Sequence, residues 1–176
     1  MDRSFAVIAD DFTGANDTGI QFLKAGYEST VILDPEAFSS FEKNGAVILD
    51  TESRNIPSTE AAEIMRNAVP HLAGSKGKKV FYKKVDSTLR GNIAAEAAVL
   101  RESLGFRLTV FAPAYPGNKR ISRDGLLLLD GVPVAETEMG RDPRKPVRTS
   151  SLAETLLGSG KNSARTVSLD EVRGKK

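Results

Sequence analysis

A chain of 176 residues with 40% hydrophobic content is long enough for one domain with a real core and too apolar for a disordered segment. Its 25 basic and 23 acidic residues leave a net charge of +2, well short of the positive field that a nucleic-acid binder carries. The absence of cysteine excludes disulfides and thiolate chemistry, fits a reducing compartment, and leaves carboxylates as the material for any metal site.

The apolar run at 5–9 is too short for a signal peptide and meets Asp10 and Asp11 at once; no stretch approaches membrane-spanning length. The reading is a cytoplasmic protein with no membrane and no nucleic-acid partner, for which the Asn16-Asp17-Thr18 sequon has no bearing. Bounded by charge, 5–9 predicts a strand buried on both faces of a parallel sheet. From Gly14, residues Ala15, Ile20, Phe22, Leu23 and Ala25 form a helix that stops at Gly26, where a C-terminal glycine is expected. A second strand follows at 30–33. A third at 46–49 ends in Asp50-Thr51-Glu52-Ser53-Arg54-Asn55, before a helix from Pro57 or Ser58 to about Leu72. A polar connector at 74–79 leads to a fourth strand at 80–82, a strand-to-helix turn at 83–92, a helix at 93–104 and a fifth strand at 108–112. Strands alternating with helices predict an α/β fold, an open and mainly parallel sheet flanked by helices.

After the fifth strand the pattern changes. Two prolines and a glycine make 112–120 a turn-rich loop, and Asp130-Gly131 between apolar runs predicts a β-hairpin over 125–135. The segment 136–151, with Arg141, Asp142, Arg144, Lys145 and Arg148 among prolines, reads as an extended, solvated arm. A short helix at 151–157 is capped by Ser150 or Ser151, a last strand lies at 165–169, and the end from Arg173 frays. The division is therefore a domain over 1–157 and a strand and tail over 158–176.

The turn Lys83-Lys84-Val85-Asp86-Ser87-Thr88-Leu89-Arg90-Gly91-Asn92 gathers three cations, a carboxylate and two hydroxyls beside a helix start. Cations and helix N-terminal N–H groups together bind anions, so an anionic ligand is one reading; a solvated turn capped by Asp86 or Ser87 is the other. Two more strands end in polar clusters, at Asp10-Asp11 and at 50–54. In a parallel sheet all three ends share one edge, the edge where open α/β folds bind ligands, which favours a site. Elsewhere, Gly158-Ser159-Gly160-Lys161 lacks the spacing of a phosphate loop, with Thr155 where its first glycine should be. No other nucleotide-binding glycine pattern occurs. His71 reads as a helix-end histidine, and Phe12 and the tyrosines as core or rim.

Six blocks together resemble the four-carbon acid sugar kinases, which act on threonate, erythronate and related acids. They are Ile8-Ala9-Asp10-Asp11-Phe12-Thr13-Gly14-Ala15, Asp50-Thr51-Glu52-Ser53-Arg54, the stretch 82–92, Phe111-Ala112-Pro113-Ala114-Tyr115-Pro116, Asp130-Gly131-Val132-Pro133 and the stretch 137–148. The resemblance implies the N-terminal, sugar-acid-binding domain of such a kinase. The family's second domain, which binds ATP, has no counterpart here and would be supplied by a separate domain or chain. ATP and Mg2+ then belong to the complete kinase, with neither expected on this chain alone and no metal or cofactor ligands assigned. For the substrate, the resemblance implies Arg54 and Lys84 on the carboxylate, Asp11, Asp86 and Ser87 on hydroxyls, and Arg90 and Asn92 nearby. Asp10 or Asp11 orients or deprotonates the attacking hydroxyl. Strand alternation would point those two aspartates to opposite faces, leaving one for the ligand. The loop Asn118-Lys119-Arg120-Ile121-Ser122-Arg123 is more basic than the family pattern. The competing reading is a stand-alone module that binds a small hydroxy acid without catalysis.

Overall fold

The computed structural model of the chain describes residues 4–41, 45–73, 79–158 and 164–174. In chain order, β1 (Ser4–Ala9), α1 (Phe12–Lys24), β2 (Glu28–Ile32), α2 (Phe38–Phe41), β3 (Gly45–Asp50), α3 (Ser58–Ala73), β4 (Lys79–Lys83) and α4 (Ile93–Leu104) build the main layer. The four strands are parallel in the order β2-β3-β1-β4. Between Ser4 at the start of β1 and Asp50 at the end of β3, the central pair is apolar, because helices cover both its faces. On one face, Ala6, Ile8, Val47 and Leu49 pack with Met65, Val69 and Leu72 of α3 and Val99 and Leu100 of α4. On the other, Val7, Ala9, Ala46 and Ile48 meet Ala15 of α1. Small residues on the buried side of α1, Gly14, Ala15 and Gly19, let that helix lie close to the sheet. A Cβ on Gly19 would sit 3.0 Å from Ser29 Oγ.

A second, antiparallel sheet of β5 (Arg120–Arg123), β6 (Leu126–Leu129) and β7 (Val132–Pro133) follows, then α5 (Leu152–Leu157) and α6 (Leu169–Val172). The Asp130-Gly131 hairpin forms as its sequence predicts, with φ of +52° and +84° at the turn. A matching turn at Asp124-Gly125, φ +51° and +76°, adds β5, which the loop reading had missed. The small sheet through Leu127, and the chain after it through Val134 and Val147, pack onto Leu89 and Ile93, and so onto the central turn.

Three expectations fail. The fifth strand at 108–112 does not form: the apolar run takes up no regular structure and is unpaired among the described residues, with Leu108 79% and Val110 82% exposed. A strand is a pairing as well as a pattern, and among the described residues no strand pairs with this run. The last strand at 165–169 is replaced by α6, nucleated by a capping box in which Ser168 and Glu171 bond reciprocally. The solvated arm is in fact docked, because Val147 is buried and Lys145 reaches back to the main layer. The connector at 74–78 and the rejected glycine segment at 159–163 lie outside the described residues. Among the described residues no helix is long and apolar enough to cross a membrane.

Candidate functional site

The three polar strand ends do meet on one edge of the parallel sheet. β1 stops at Ala9, so Asp10 and Asp11 escape strand alternation: Asp10 follows in a bend, and Asp11 turns to become the N-cap of α1, accepting from Gly14 N at 3.0 Å. Both carboxylates therefore face one guanidinium. Arg54 donates to Asp10 through Nε (3.0 Å) and Nη2 (2.9 Å), and to Asp11 through Nη1 (2.7 Å) and Nη2 (2.6 Å). The Asp10 side chain is 1% exposed and that of Asp11 22%. Burial alone would lower the Arg54 pKa, but the hydrogen bonds and charge of Asp10 outweigh it and raise it. Two glycines make room for this fork. A Cβ on Gly14 would lie 2.5 Å from Asp11 Oδ1, and one on Gly91, at φ +106°, would lie 2.7 Å from Asp10 Oδ2.

Lys83 and Lys84 leave β4 on opposite sides. Lys83 pairs with Glu96 of α4 at 3.0 Å, and Ser53 donates to the other oxygen of that buried carboxylate. Lys84 stays at the site. Its ammonium, which a Cβ on Gly14 would approach to 3.4 Å, donates to the Val85 carbonyl at 2.7 Å and, among the described residues, pairs with no carboxylate. Burial lowers its pKa, against the opposing pull of Asp10 and Asp86.

The other predicted ligands are more committed. Asp86 accepts from Thr88 Oγ1 (2.5 Å) and Arg90 Nε (2.6 Å), bonds that outweigh its burial and hold its carboxyl below the usual range. Arg90 also reaches Asp142 of the arm at 3.4 Å. Asn92 is buried and structural: it donates to the Ser53 and Ile56 carbonyls (2.7 and 3.0 Å) and accepts from Lys145 Nζ at 2.8 Å. Ser87 lies half-buried in the same turn. A cavity of about 590 Å³ opens against the start of α4, with Arg90, Asn92, Lys145 and Arg148 among its lining. The sequence reading missed Asp142, Lys145 and Glu96. The one signal for the arm was apolar Val147 amid its charges, and Glu96 stands alone as a carboxylate on the buried side of α4.

One further carboxylate lies behind the fork. Asp50, at the end of β3, accepts from Glu52 N at 3.1 Å, while its Oδ2 is buried with no partner among the described residues. Burial pushes its pKa up to about 6. Among the described residues no three acidic or histidine side chains are grouped to hold a metal ion, and the oxygens of Asp10 and Asp11 face Arg54.

Relatives share this arrangement of elements. The D-threonate kinase of Salmonella typhimurium is 37% identical over 167 residues, 95% of this chain and 39% of that protein. The D-erythronate kinase of Heliobacterium modesticaldum is 32% identical across 94% of this chain and 38% of its own length. A 3-oxo-tetronate kinase of Escherichia coli is 32% identical across 83% and 38%. The chain thus spans about two fifths of the length of these curated relatives. A solved protein of Bordetella bronchiseptica, a domain-swapped dimer with bound citrate, superposes with a TM-score of 0.82 at 34% identity, over 90% of this chain and 41% of that one. A Haemophilus influenzae structure gives 0.78 at 30%, over 89% and 39%. The family model described as the sugar-binding N-terminal domain matches residues 5–176, nearly the whole chain, and the chain belongs to that family.

Proposed function

We propose that this chain is the acid-binding half of an ATP-dependent kinase for a four-carbon sugar acid, working in the cytoplasm with a nucleotide-binding half. The observation that carries the reading is the division of charge at the sheet edge. Arg54 is held between Asp10 and Asp11, while Lys84 beside them is a desolvated cation that, among the described residues, pairs with no carboxylate. A sugar acid supplies the missing carboxylate and brings hydroxyls for the acidic neighbours. Lys84 is the primary anchor, with the remaining N–H of Arg54 second. Asp11, more exposed than Asp10, orients the attacking hydroxyl and takes its proton, and Asp10 holds Arg54 in place. Ser87 and Asp86 face further hydroxyls, Arg90 braces Asp86, and Asn92 fixes the loop that carries Arg54. ATP with its magnesium supplies the phosphoryl group from the other half, and catalysis is chiefly positioning and charge neutralisation. The tetronate kinases among its relatives and the citrate bound by the Bordetella protein support a small hydroxy acid as ligand.

A ligand that binds only the folded state stabilises it, by about 2.7 kcal/mol at a hundred times its dissociation constant. D-threonate or D-erythronate should therefore raise the melting temperature of the chain, ATP with magnesium should not, and Lys84→Met should abolish the acid's effect while melting as high as wild type. A shift with ATP alone, or an undiminished acid response in Lys84→Met, would overturn the assignment.

A further inference from the structure

We infer that Glu96, acting with Lys83, is a positioning residue for the acid site: it sets where Arg54 and Lys84 stand relative to each other. The inference rests on the acid-binding reading and adds the buried pair that keeps its two cations in place. Glu96 lies in the first turn of α4, where a negative charge is favoured, and is 1% exposed. Its two oxygens serve two different strand ends. Oε1 accepts from the hydroxyl of Ser53, a fully buried residue that directly precedes Arg54. Oε2 faces the Lys83 ammonium at 3.0 Å, an ionic contact rather than an aligned hydrogen bond. That ammonium also donates to the carbonyl of Lys84 at 3.0 Å. One carboxylate is thus connected to the residue before Arg54 and, through Lys83, to the backbone of Lys84.

The surroundings complete the frame. Asn92, also from the start of α4, donates to the Ser53 carbonyl at 2.7 Å, so that Ser53 is held by both side chain and backbone. Thr51 Oγ1, 2.8 Å from Ser53 Oγ, donates to the Ala9 carbonyl at 2.8 Å, which ties the loop to β1 just before Asp10. Lys83 turns toward α4 and Lys84, the next residue, toward the start of α1. Desolvating two charges offsets most of their attraction, so a buried ion pair adds little net stability, and apolar replacement of both partners is often neutral. Its geometry is nonetheless demanding, because a buried oxygen or proton left unmet is costly. A carboxylate of this kind fixes the spacing of what it touches more than it stabilises the fold. Spacing is what two cations need if they are to share the carboxylate of one small acid.

The test compares wild type with Lys83→Met/Glu96→Leu, which removes the pair without stranding either charge, and with Ser53→Ala, which cuts only the bond to the loop. Calorimetric titration with D-threonate and D-erythronate measures affinity. Hydrogen exchange without acid is followed at the amides of Arg54 and Lys84, which bond to the Asp10 and Ile8 carbonyls. Both variants should bind the acid roughly tenfold more weakly and exchange roughly tenfold faster at the Arg54 amide, with the Lys84 amide following in the double variant. Their melting points should stay close to that of wild type, and the Leu127 amide, bonded to Ser150 in the distant small sheet, should exchange as before. Wild-type affinity in both variants overturns the inference, and a lowered melting point with affinity intact would make the pair structural only. Weaker binding with unchanged exchange also overturns it, because the loss would not pass through the loop. Should the double variant fail to fold, Ser53→Ala decides alone. If wild type responds to neither acid, the acid-binding reading falls; faster exchange at Arg54 then upholds the positioning by Glu96, and unchanged exchange overturns it.

Discussion

At the residue scale the site depends on absences of side chain as much as on charges. Gly91 combines a left-handed backbone with a Cβ position 2.7 Å from Asp10 Oδ2, whereas Gly131, also at positive φ, has nothing within 4 Å. Both Gly91→Ala and Gly131→Ala should lose about 1–3 kcal/mol in urea unfolding through backbone strain. Only Gly91→Ala should also lose the sugar-acid melting shift, because it displaces Asp10 and with it Arg54. Equal acid responses in the two variants would show that the cradle is irrelevant to binding. Much of this was readable as residue type: aspartates, an arginine and a lysine at strand ends are chemistry in search of a ligand. Their bonds were not readable. Alternation separates Asp10 from Asp11 only while a strand continues, and the strand stops one residue earlier.

At the scale of elements, the arm 136–151 joins the two sheets. Lys145 donates to the Ile56 carbonyl (2.9 Å) and to Asn92 Oδ1 (2.8 Å), tying the arm to the loop that carries Arg54 and to the start of α4. Hydrogen bonds from a charged donor are worth about 1.5–3 kcal/mol. Lys145→Met should therefore open the arm locally, with trypsin cutting at Arg144 or Arg148 roughly tenfold faster, a factor equal to about 1.4 kcal/mol, while the global melting point barely moves. Unchanged cleavage would mean that Val147 alone holds the arm. The sequence showed β1 to β4, the main helices and the Asp130-Gly131 hairpin clearly, since each is a local pattern of apolar spacing and turn chemistry. It misled wherever the outcome depends on what lies alongside. The run at 108–112 has a strand's composition but no pairing among the described residues, and the charges of the arm conceal one half-buried lysine held by its partners. At 168–171 the fault lay in the reading, because Ser168-Leu169-Asp170-Glu171 carries a capping-box signature.

For the molecule as a whole, two buried carboxylates respond to pH with opposite sign. Asp86, held below the usual carboxylate range, contributes stability that is present above that range and lost as pH falls through its lowered pKa. Asp50, raised to about 6 by burial, contributes stability below its ordinary value of 3.8 and loses it as pH rises through 6. Asp50→Asn should accordingly stabilise the fold by on the order of 2–3 kcal/mol at pH 8, with the two urea curves converging as pH falls toward 4. A constant difference across that range would exclude Asp50 as the titrating group.

The fork of Asp10, Asp11 and Arg54 joins loops 43 and 44 residues apart in sequence, and it closes only when Ala9 pairs with Asp50. A slip of one residue between β1 and β3 would turn every side chain of the slipped strand to the wrong face and leave Arg54 without its carboxylates. Helix content and compactness would survive such an error. The fork thus works as a combination lock on the sheet, and, with the acid bound as proposed, a count of acid-binding sites in a purified sample becomes a census of correctly registered molecules.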